Sequence, residues 1–195
     1  MGFDVTADAY ASFMGRFSEP LARQLADLLD PAPGNRALDV GCGPGTLTAV
    51  LADRLGAEQL SAVDPSPSFV LAVRALLPEV DVRDGAAEEL PFGDEVFDLA
   101  TAQLVVPFMA DPLRGLSEMR RVVRPGGQLL FVNHFAAEGG LRWWAERTLA
   151  PLSRVLGWHP DFVLGDLLDN PEMAAEIVPC PPFGLFTLVR VPQPA

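Results

Sequence analysis

The sequence predicts an α/β fold in which helices cover both faces of a mostly parallel sheet. Short apolar runs alternate with longer segments whose apolar residues recur at helical spacing. Such alternation requires crossover connections, which join parallel strands. Two further strands near the C-terminal end, separated by a tight turn, predict an antiparallel hairpin at the edge of the sheet. The predicted class is therefore a doubly wound, mostly parallel seven-stranded sheet with a C-terminal antiparallel hairpin.

The first predicted helix spans residues 18–29. Ser18 is its expected N-cap, and Pro20 suits the first turn. A cluster of proline and glycine ends it before the first strand. The elements expected next are strand 36–40, a helix after the glycines that end at 45, strand 59–64, helix 67–77 and strand 79–84.

The second half of the chain continues the alternation. Asp111 is the expected N-cap of a helix with Pro112 at its first position. The other elements expected there are strand 95–106, strand 128–134, a helical segment at 139–158 that Pro151 kinks or divides in two, and the hairpin strands 175–179 and 183–191. The whole chain, 1–195, is predicted to be one domain. Its expected parts are an N-terminal cap at 1–30, a core at 36–134, a helical lid region at 135–170 and the closing hairpin at 175–191.

Composition limits the classes of partner. The formal net charge of −12 opposes non-specific binding to phosphate backbones, so no nucleic acid partner is expected. Cys42 and Cys180 are expected to be free thiols in a reducing cytoplasm. No apolar run approaches the length of a membrane span, no signal peptide is apparent and no Cys/His spacing predicts a metal site. The sequence indicates nothing about oligomeric state.

A glycine-rich turn follows the first predicted strand. Gly41, Gly43 and Gly45 are spaced G-x-G-x-G, and Asp39 lies two residues before the first of them. A dinucleotide site usually has G-x-G-x-x-G with a helix N-terminus aimed at pyrophosphate. An acid at position 39 would repel a pyrophosphate but suits a cationic ligand such as a sulfonium amino acid. The turn is therefore predicted to bind a ligand of that kind.

Two more carboxylates follow neighbouring strands. Asp64 ends the second predicted strand, where a carboxylate can accept hydrogen bonds from both hydroxyls of a ribose. Asp84 ends the third, where it is expected to accept from an adenine amine, with the backbone of Ala86 nearby. The alternative for Asp84 is a strand-end cap, and the alternative for the glycines is a tight turn without a ligand.

The run ALDVGCGPGTLT…AVDPS…DGAAEELPF…FDLATAQ…MRRVVRPGGQLLFV resembles the class I S-adenosylmethionine-dependent methyltransferases over about residues 5–133. The resemblance implies a Rossmann-like fold with S-adenosylmethionine as cofactor. It implies that Asp39 and the loop at 41–45 surround the methionine part, while Asp64 holds the ribose. Asp84 and Ala86 would hold the adenine.

The same resemblance implies three further contacts to the cofactor. Tyr10 and Arg16, in AYASFMGRFSEP, are similar to the N-terminal segment that folds over the cofactor in many members. Gln103, just past the fourth strand, lies where such enzymes often touch the methionine moiety or the substrate. Tyr10 as a core or surface residue and Gln103 as an ordinary loop residue stay open as alternatives.

The C-terminal third carries a second resemblance, to the soluble bacterial phosphatidylethanolamine N-methyltransferases. The residues that carry it are 133–135, 156–160 and 182–190. An amine acceptor must lose a proton, and His134, after the fifth strand, is the candidate general base. The alternative is that His134 caps the strand or hydrogen-bonds a loop.

Several functions remain open at this stage. The leading one is N-methylation of a phospholipid amine headgroup, and the first alternative is methylation of a small soluble metabolite. An NAD-binding oxidoreductase or a non-catalytic cofactor-binding protein is the alternative of another class. Residues 141–158 combine tryptophan and arginine around an apolar stripe, which suits either contact with the inner membrane surface or packing on the sheet.

Overall fold

The computed structural model describes residues 7–133, 176–180 and 186–193. Two short 3₁₀ turns, Ala57–Gln59 and Val106–Phe108, accompany the main elements. The helices are α1 (Ala7–Leu29), α2 (Thr46–Leu55), α3 (Pro67–Leu76) and α4 (Pro112–Val122). The strands are β1 (Ala37–Val40), β2 (Leu60–Asp64), β3 (Asp81–Asp84), β4 (Phe97–Gln103), β5 (Val123–Asn133), β6 (Glu176–Cys180) and β7 (Phe186–Pro192).

All seven strands form one sheet in the order β3-β2-β1-β4-β5-β7-β6. The first five strands pair in parallel, and β7 is antiparallel to both β5 and β6. The predicted fold class is therefore confirmed, including the closing hairpin. The chain winds outward from β1 to β3 and then returns to β4 on the other side of β1. Ligands in such sheets bind beyond the carboxyl ends of the strands at this reversal.

Two apolar layers hold the sheet between its helices. Buried residues of α1, α2 and α3, such as Leu25, Leu51 and Val73, form one cluster with one face of the sheet. Buried residues of α4, such as Leu116 and Met119, form a second cluster with the other face. The alternation of side chains along β strands makes both layers possible, since successive residues point to opposite faces. Helices on both faces were predicted and are present.

The first helix begins earlier than predicted. Helix α1 starts at Ala7, so Ser18 is not its N-cap and Pro20 lies inside it. A proline removes one backbone donor from a helix and usually weakens it. Here the helix continues on both sides of Pro20, and the residues after it, Leu21 and Leu25, are buried. Ser18 and Pro20, which are typical of a helix N-terminus, therefore lie in the interior of α1, and the helix accommodates the proline.

Two other boundaries differ because of local backbone geometry. Strand β4 ends at Gln103 rather than at residue 106, since Leu104 takes a φ of 61° and a 3₁₀ turn follows. Strand β5 begins at Val123 and not at the predicted residue 128. The register shifts between Phe97 and Leu99, so the RPGG segment is an irregularity inside the strand pairing. The predicted helical segment at 139–158 lies outside the described residues.

Candidate functional site

A cleft with a volume of about 670 Å³ opens at the carboxyl ends of β1 to β4. Its lining comes from the glycine turn, from residues 64–67 and 69, from 86–88, and from 104–105 and 108–110. The volume falls within the roughly 300–1,000 Å³ that is usual for small-molecule sites. The cleft lies at the reversal of strand order, as the topology requires.

The three glycines of the turn have left-handed backbone conformations, with φ of 68° at Gly41, 53° at Gly43 and 92° at Gly45. A Cβ on Gly41 would lie 2.5 Å from Val105 Cγ2, so this residue is small because of packing. A Cβ on Gly43 would meet nothing within 4 Å. Gly43 lines the cleft, so at this position the missing side chain leaves the backbone open to a ligand.

Asp64 is held rigidly at the end of β2. Its Oδ2 accepts a hydrogen bond from the Gly43 N–H at 2.8 Å, and its Oδ1 accepts from the Ser66 N–H at 2.9 Å. Burial raises the pKa of this carboxyl, the two backbone donors oppose the rise, and the charge of Asp84 adds to it. Each carboxylate oxygen can accept a second hydrogen bond. Asp64 is therefore an oriented, cleft-lining acceptor suited to a vicinal diol.

Asp39 is buried beneath the glycine turn. It is 1% exposed, and its Oδ2 accepts a hydrogen bond from Thr48 Oγ1 at 2.7 Å. Burial raises the pKa of this carboxyl to about 7, the bond from Thr48 opposes the rise, and the charge of Asp64 adds to it. A nearby cation would favour the ionised form.

A second, smaller cavity of about 30 Å³ lies between the turn and the end of β4, and both Asp39 and Gln103 line it. The side chain of Gln103 donates through Nε2 to the Ser18 carbonyl at 2.9 Å. Its Oε1 is buried and has no hydrogen-bond partner among the described residues. The cavity thus brings a carboxylate and an unpaired amide oxygen together, and both are acceptors suited to a cationic or N–H-bearing group.

Comparison with known proteins agrees with this geometry. A family model described as "Methyltransferase domain" matches residues 38–131. Phosphatidylethanolamine N-methyltransferase of Cereibacter sphaeroides is 35% identical over 188 residues, 93% of this chain and 91% of that protein. The chain belongs to the class I S-adenosylmethionine-dependent methyltransferases. Its cofactor is S-adenosylmethionine.

Other relatives of this methyltransferase differ in their names. Demethylmenaquinone methyltransferase of Beutenbergia cavernae is 33% identical over 179 residues, covering 87% of this chain and 72% of that protein. A solved structure from Thermotoga maritima, described as a SAM-dependent methyltransferase and possible histamine N-methyltransferase, superposes with a TM-score of 0.73. It is 22% identical and covers 95% of both chains, so it shows the shared fold alone.

The structure brings together only some of the residues that the sequence singled out in this methyltransferase. Gly41, Gly43, Asp64 and Ala86 line the large cleft, while Asp39, Gly41, Gly43 and Gln103 line the small cavity. Gly45 lines neither, because it lies against α3, where a Cβ would come within 3.0 Å of Val73.

Four other predicted site residues either do not line the cleft or have side chains that the structure does not describe. Asp84 ends β3 opposite Asp64 in the β2–β3 register, is exposed and is not among the cleft-lining residues. Tyr10 and Arg16 lie within helix α1, for which the structure describes only the backbone at these positions. His134 lies outside the described residues. The roles of these residues stay predictions.

The methyltransferase also has polar residues at this edge that the sequence analysis missed. Glu88 lines the cleft, and its Oε1 accepts hydrogen bonds from the Ala110 and Asp111 N–H groups at 2.6 and 3.2 Å. Asn133, at the end of β5, is 1% exposed, and neither Nδ2 nor Oδ1 has a partner among the described residues. The sequence analysis gave Glu88 no role, since an acid in a loop is common on surfaces, and it used Asn133 only as part of the resemblance at 133–135.

Cys42 lies inside the glycine turn and is buried. Burial raises the pKa of its thiol, and the charges of Asp39 and Asp64 raise it further. A thiol held in its protonated form is a poor nucleophile. Cys42 therefore acts through packing and not as a nucleophile.

Proposed function

We propose that this methyltransferase transfers a methyl group from S-adenosylmethionine to the amine of a phospholipid headgroup of the phosphatidylethanolamine type. The similarity that supports this runs through the C-terminal third as well as the core, since it covers 93% of this chain. The C-terminal third is also where the sequence itself resembles phosphatidylethanolamine N-methyltransferases.

A second candidate is a different small acceptor. The similarity to demethylmenaquinone methyltransferase covers 87% of this chain at nearly the same identity, 33% against 35%. Demethylmenaquinone would accept the methyl group at a ring carbon in its reduced, hydroquinone form, and the proton would then leave that carbon and not an amine. The two candidates therefore predict different products from the same cofactor.

For the cofactor, we propose that Asp64 accepts from the ribose hydroxyls and that the open backbone at Gly43 lies against the sulfonium amino acid. The acceptors of Asp39 and Gln103 would meet the cationic end of the ligand. Ala86, through its backbone, would contact the adenine. The hydrogen bonds that fix Asp64 and the empty space at Gly43 support this arrangement.

Asp84 is proposed as a second contact to the adenine on the family resemblance alone, because its side chain is exposed and does not line the cleft. Tyr10 and Arg16 are proposed to cover the bound cofactor, on the family resemblance alone. Alanine variants of Asp84, Tyr10 and Arg16 test these assignments through their affinity for S-adenosylhomocysteine, as for Asp64.

Methyl transfer from S-adenosylmethionine depends mainly on how the acceptor is positioned. A sulfonium methyl group is already activated, so transfer is an in-line displacement once the acceptor is held close. The protein's own task is to orient the acceptor, exclude water and receive the proton that a primary amine must lose. His134 is proposed to receive it, from its place in the sequence after β5.

The deciding experiment presents the protein with methyl-labelled S-adenosylmethionine and three acceptors in parallel. These are phosphatidylcholine vesicles containing phosphatidylethanolamine, free phosphoethanolamine, and demethylmenaquinone chemically reduced to its hydroquinone in detergent. The expected result is labelled N-monomethyl phospholipid from the first mixture alone. Label in the quinone would establish the second candidate, and label in phosphoethanolamine alone would remove the lipid from the proposal. The same mixtures without the protein control for non-enzymatic transfer.

A lipid substrate implies contact with a membrane surface, which we propose for residues 141–158. No helix in the described part of the chain is long and apolar enough to cross a membrane. Replacing Trp143 and Trp144 together with alanine should reduce flotation with phosphatidylethanolamine vesicles, because interfacial tryptophans anchor proteins to lipid headgroups. Equal flotation by this double variant would remove the segment from the proposal.

A further inference from the structure

Glu88 links two segments that the sheet holds apart. It lies in the segment that follows β3, whereas its partners Ala110 and Asp111 lie in the segment that follows β4. β2 and β1 separate these strands in the sheet. Neighbouring strands are about 4.8 Å apart, so the two strands are separated by about 14 Å. The Glu88 carboxylate joins the segments where both line the cleft.

The same segment is also held by α4. The Leu90 N–H donates to Glu118 Oε2 at 3.0 Å. Arg121 donates to the Leu90 carbonyl at 3.2 Å and to the Phe92 carbonyl at 3.0 Å. Arg121 also pairs with Glu118 at 2.8 Å. Because both side chains are partly shielded from water and ion-paired, these bonds are of the stronger, charge-assisted kind.

Helix α4 approaches this segment closely because it carries a glycine. A Cβ on Gly115 would lie 2.5 Å from Met109 Sδ and 3.5 Å from the Cβ of Ala87. Ala87 immediately precedes Glu88, and Met109 immediately precedes Ala110. The helix thus packs against both ends of the Glu88 link.

We propose that Glu88 is a positioning residue for cofactor binding, which fixes the distance between the two sides of the cleft in which the adenosine part binds. Glu118 and Arg121 of α4 support the position of Glu88, because they hydrogen-bond the backbone of Leu90 and Phe92 in the same segment. This rests on the cofactor placement proposed above and not on the identity of the methyl acceptor. Glu88 affects cofactor binding by fixing the position of the segment that lines the cleft, and in particular the position of Ala86, two residues before it.

The test is calorimetric binding of S-adenosylhomocysteine and of 5′-methylthioadenosine, which lacks the amino-acid part. Glu88→Ala and Glu88→Met should each weaken both ligands by a similar factor, about tenfold, because the adenosine side of the cleft loses its fixed width. Glu88→Gln keeps an acceptor oxygen at the same place and should stay within about twofold of the original protein. Glu89→Ala, at the exposed neighbour, is the matched control.

The variants separate the proposal from its alternatives. A structural role alone would lower the melting temperature of Glu88→Ala without the shared loss of affinity for both ligands. Unchanged affinity in Glu88→Met together with a large loss in Asp64→Ala would overturn the positioning role and leave the cofactor site in place. Unchanged affinity in Asp64→Ala as well would overturn the cofactor placement itself. Failure of Glu88→Gln to retain affinity would show that the charge, and not the acceptor geometry, matters, and would also overturn the proposal.

Discussion

The carboxylate of Asp64 accepts a hydrogen bond from the backbone N–H of Gly43 at 2.8 Å. This contact ties the end of β2 to the turn after β1, and the N–H groups of Gly41 and Cys42 reinforce it by donating to the Val63 carbonyl. The acid that is proposed to hold the ribose therefore also fixes the backbone that is proposed to lie against the methionine part. Binding of the two halves of the cofactor is expected to be coupled through this contact.

Replacing Asp64 with alanine tests this coupling. The change removes two acceptors for backbone N–H groups as well as the proposed ribose contact, so cofactor affinity should fall by about 10- to 100-fold, or about 1.4–2.7 kcal/mol. Calorimetric titration with S-adenosylhomocysteine measures the loss. Asp53→Ala, on the exposed surface of α2, should bind as the original protein does. Equal affinity in the two variants would remove Asp64 from the site.

Replacing Gly43 with alanine separates backbone strain from blockage of the ligand. Gly34 provides a matched control, because its φ of 87° is also left-handed and a Cβ there also meets nothing within 4 Å. Both substitutions should lower stability by about 1 kcal/mol, since each places a side chain at positive φ. Only Gly43→Ala should weaken binding of S-adenosylhomocysteine, because only Gly43 lines the cleft. If both variants keep full affinity, the open face at Gly43 is not part of the cofactor site.

The sequence predicted the sheet well because its central strands are buried runs bounded by glycine and proline. It misplaced the start of α1, since Ser18 and Pro20 are typical of a helix N-terminus and only tertiary packing shows that the helix continues through them. It could not show that Gly45, unlike Gly41 and Gly43, lies against α3 and lines neither cavity, so its contact with the cofactor stays a prediction. Glu88 was not predictable, because its partners lie 22 and 23 residues away and meet it only in the folded chain.

The raised pKa of Asp39 predicts a pH-dependent stability. Its pKa is about 7 in the folded protein, against an ordinary value of about 4 in an unfolded chain. The folded state therefore binds the proton more tightly, so the contribution of Asp39 to stability is full below about pH 4 and is lost as the pH rises through about 7. The free energy of unfolding of the ligand-free protein, measured with urea between about pH 5 and 8.5, should decline up to about pH 7 and then level off.

Asp39→Asn provides the control for this decline. In the original protein, Asp39 accepts a hydrogen bond from the Thr48 hydroxyl at 2.7 Å. Asparagine keeps an oxygen that can accept this bond, but its side chain does not titrate. The decline should therefore be much smaller in this variant, and Asp53→Asn, on the surface, should retain it. An identical pH dependence in the original protein and in Asp39→Asn would assign the decline to other groups.

Asn133 should limit the stability of the protein. It is 1% exposed, and its side-chain amide has no hydrogen-bond partner among the described residues. An unpaired buried polar group costs about 1–3 kcal/mol, so Asn133→Leu, which keeps the branching of the side chain, should raise the melting temperature. Asn35→Leu is the matched contrast, because the Asn35 Oδ1 accepts a hydrogen bond from the Ala32 N–H at 2.8 Å and its loss should lower the melting temperature. Thermal denaturation of both variants without ligand measures the two effects. A fall in both would mean that the Asn133 amide is paired in the folded protein.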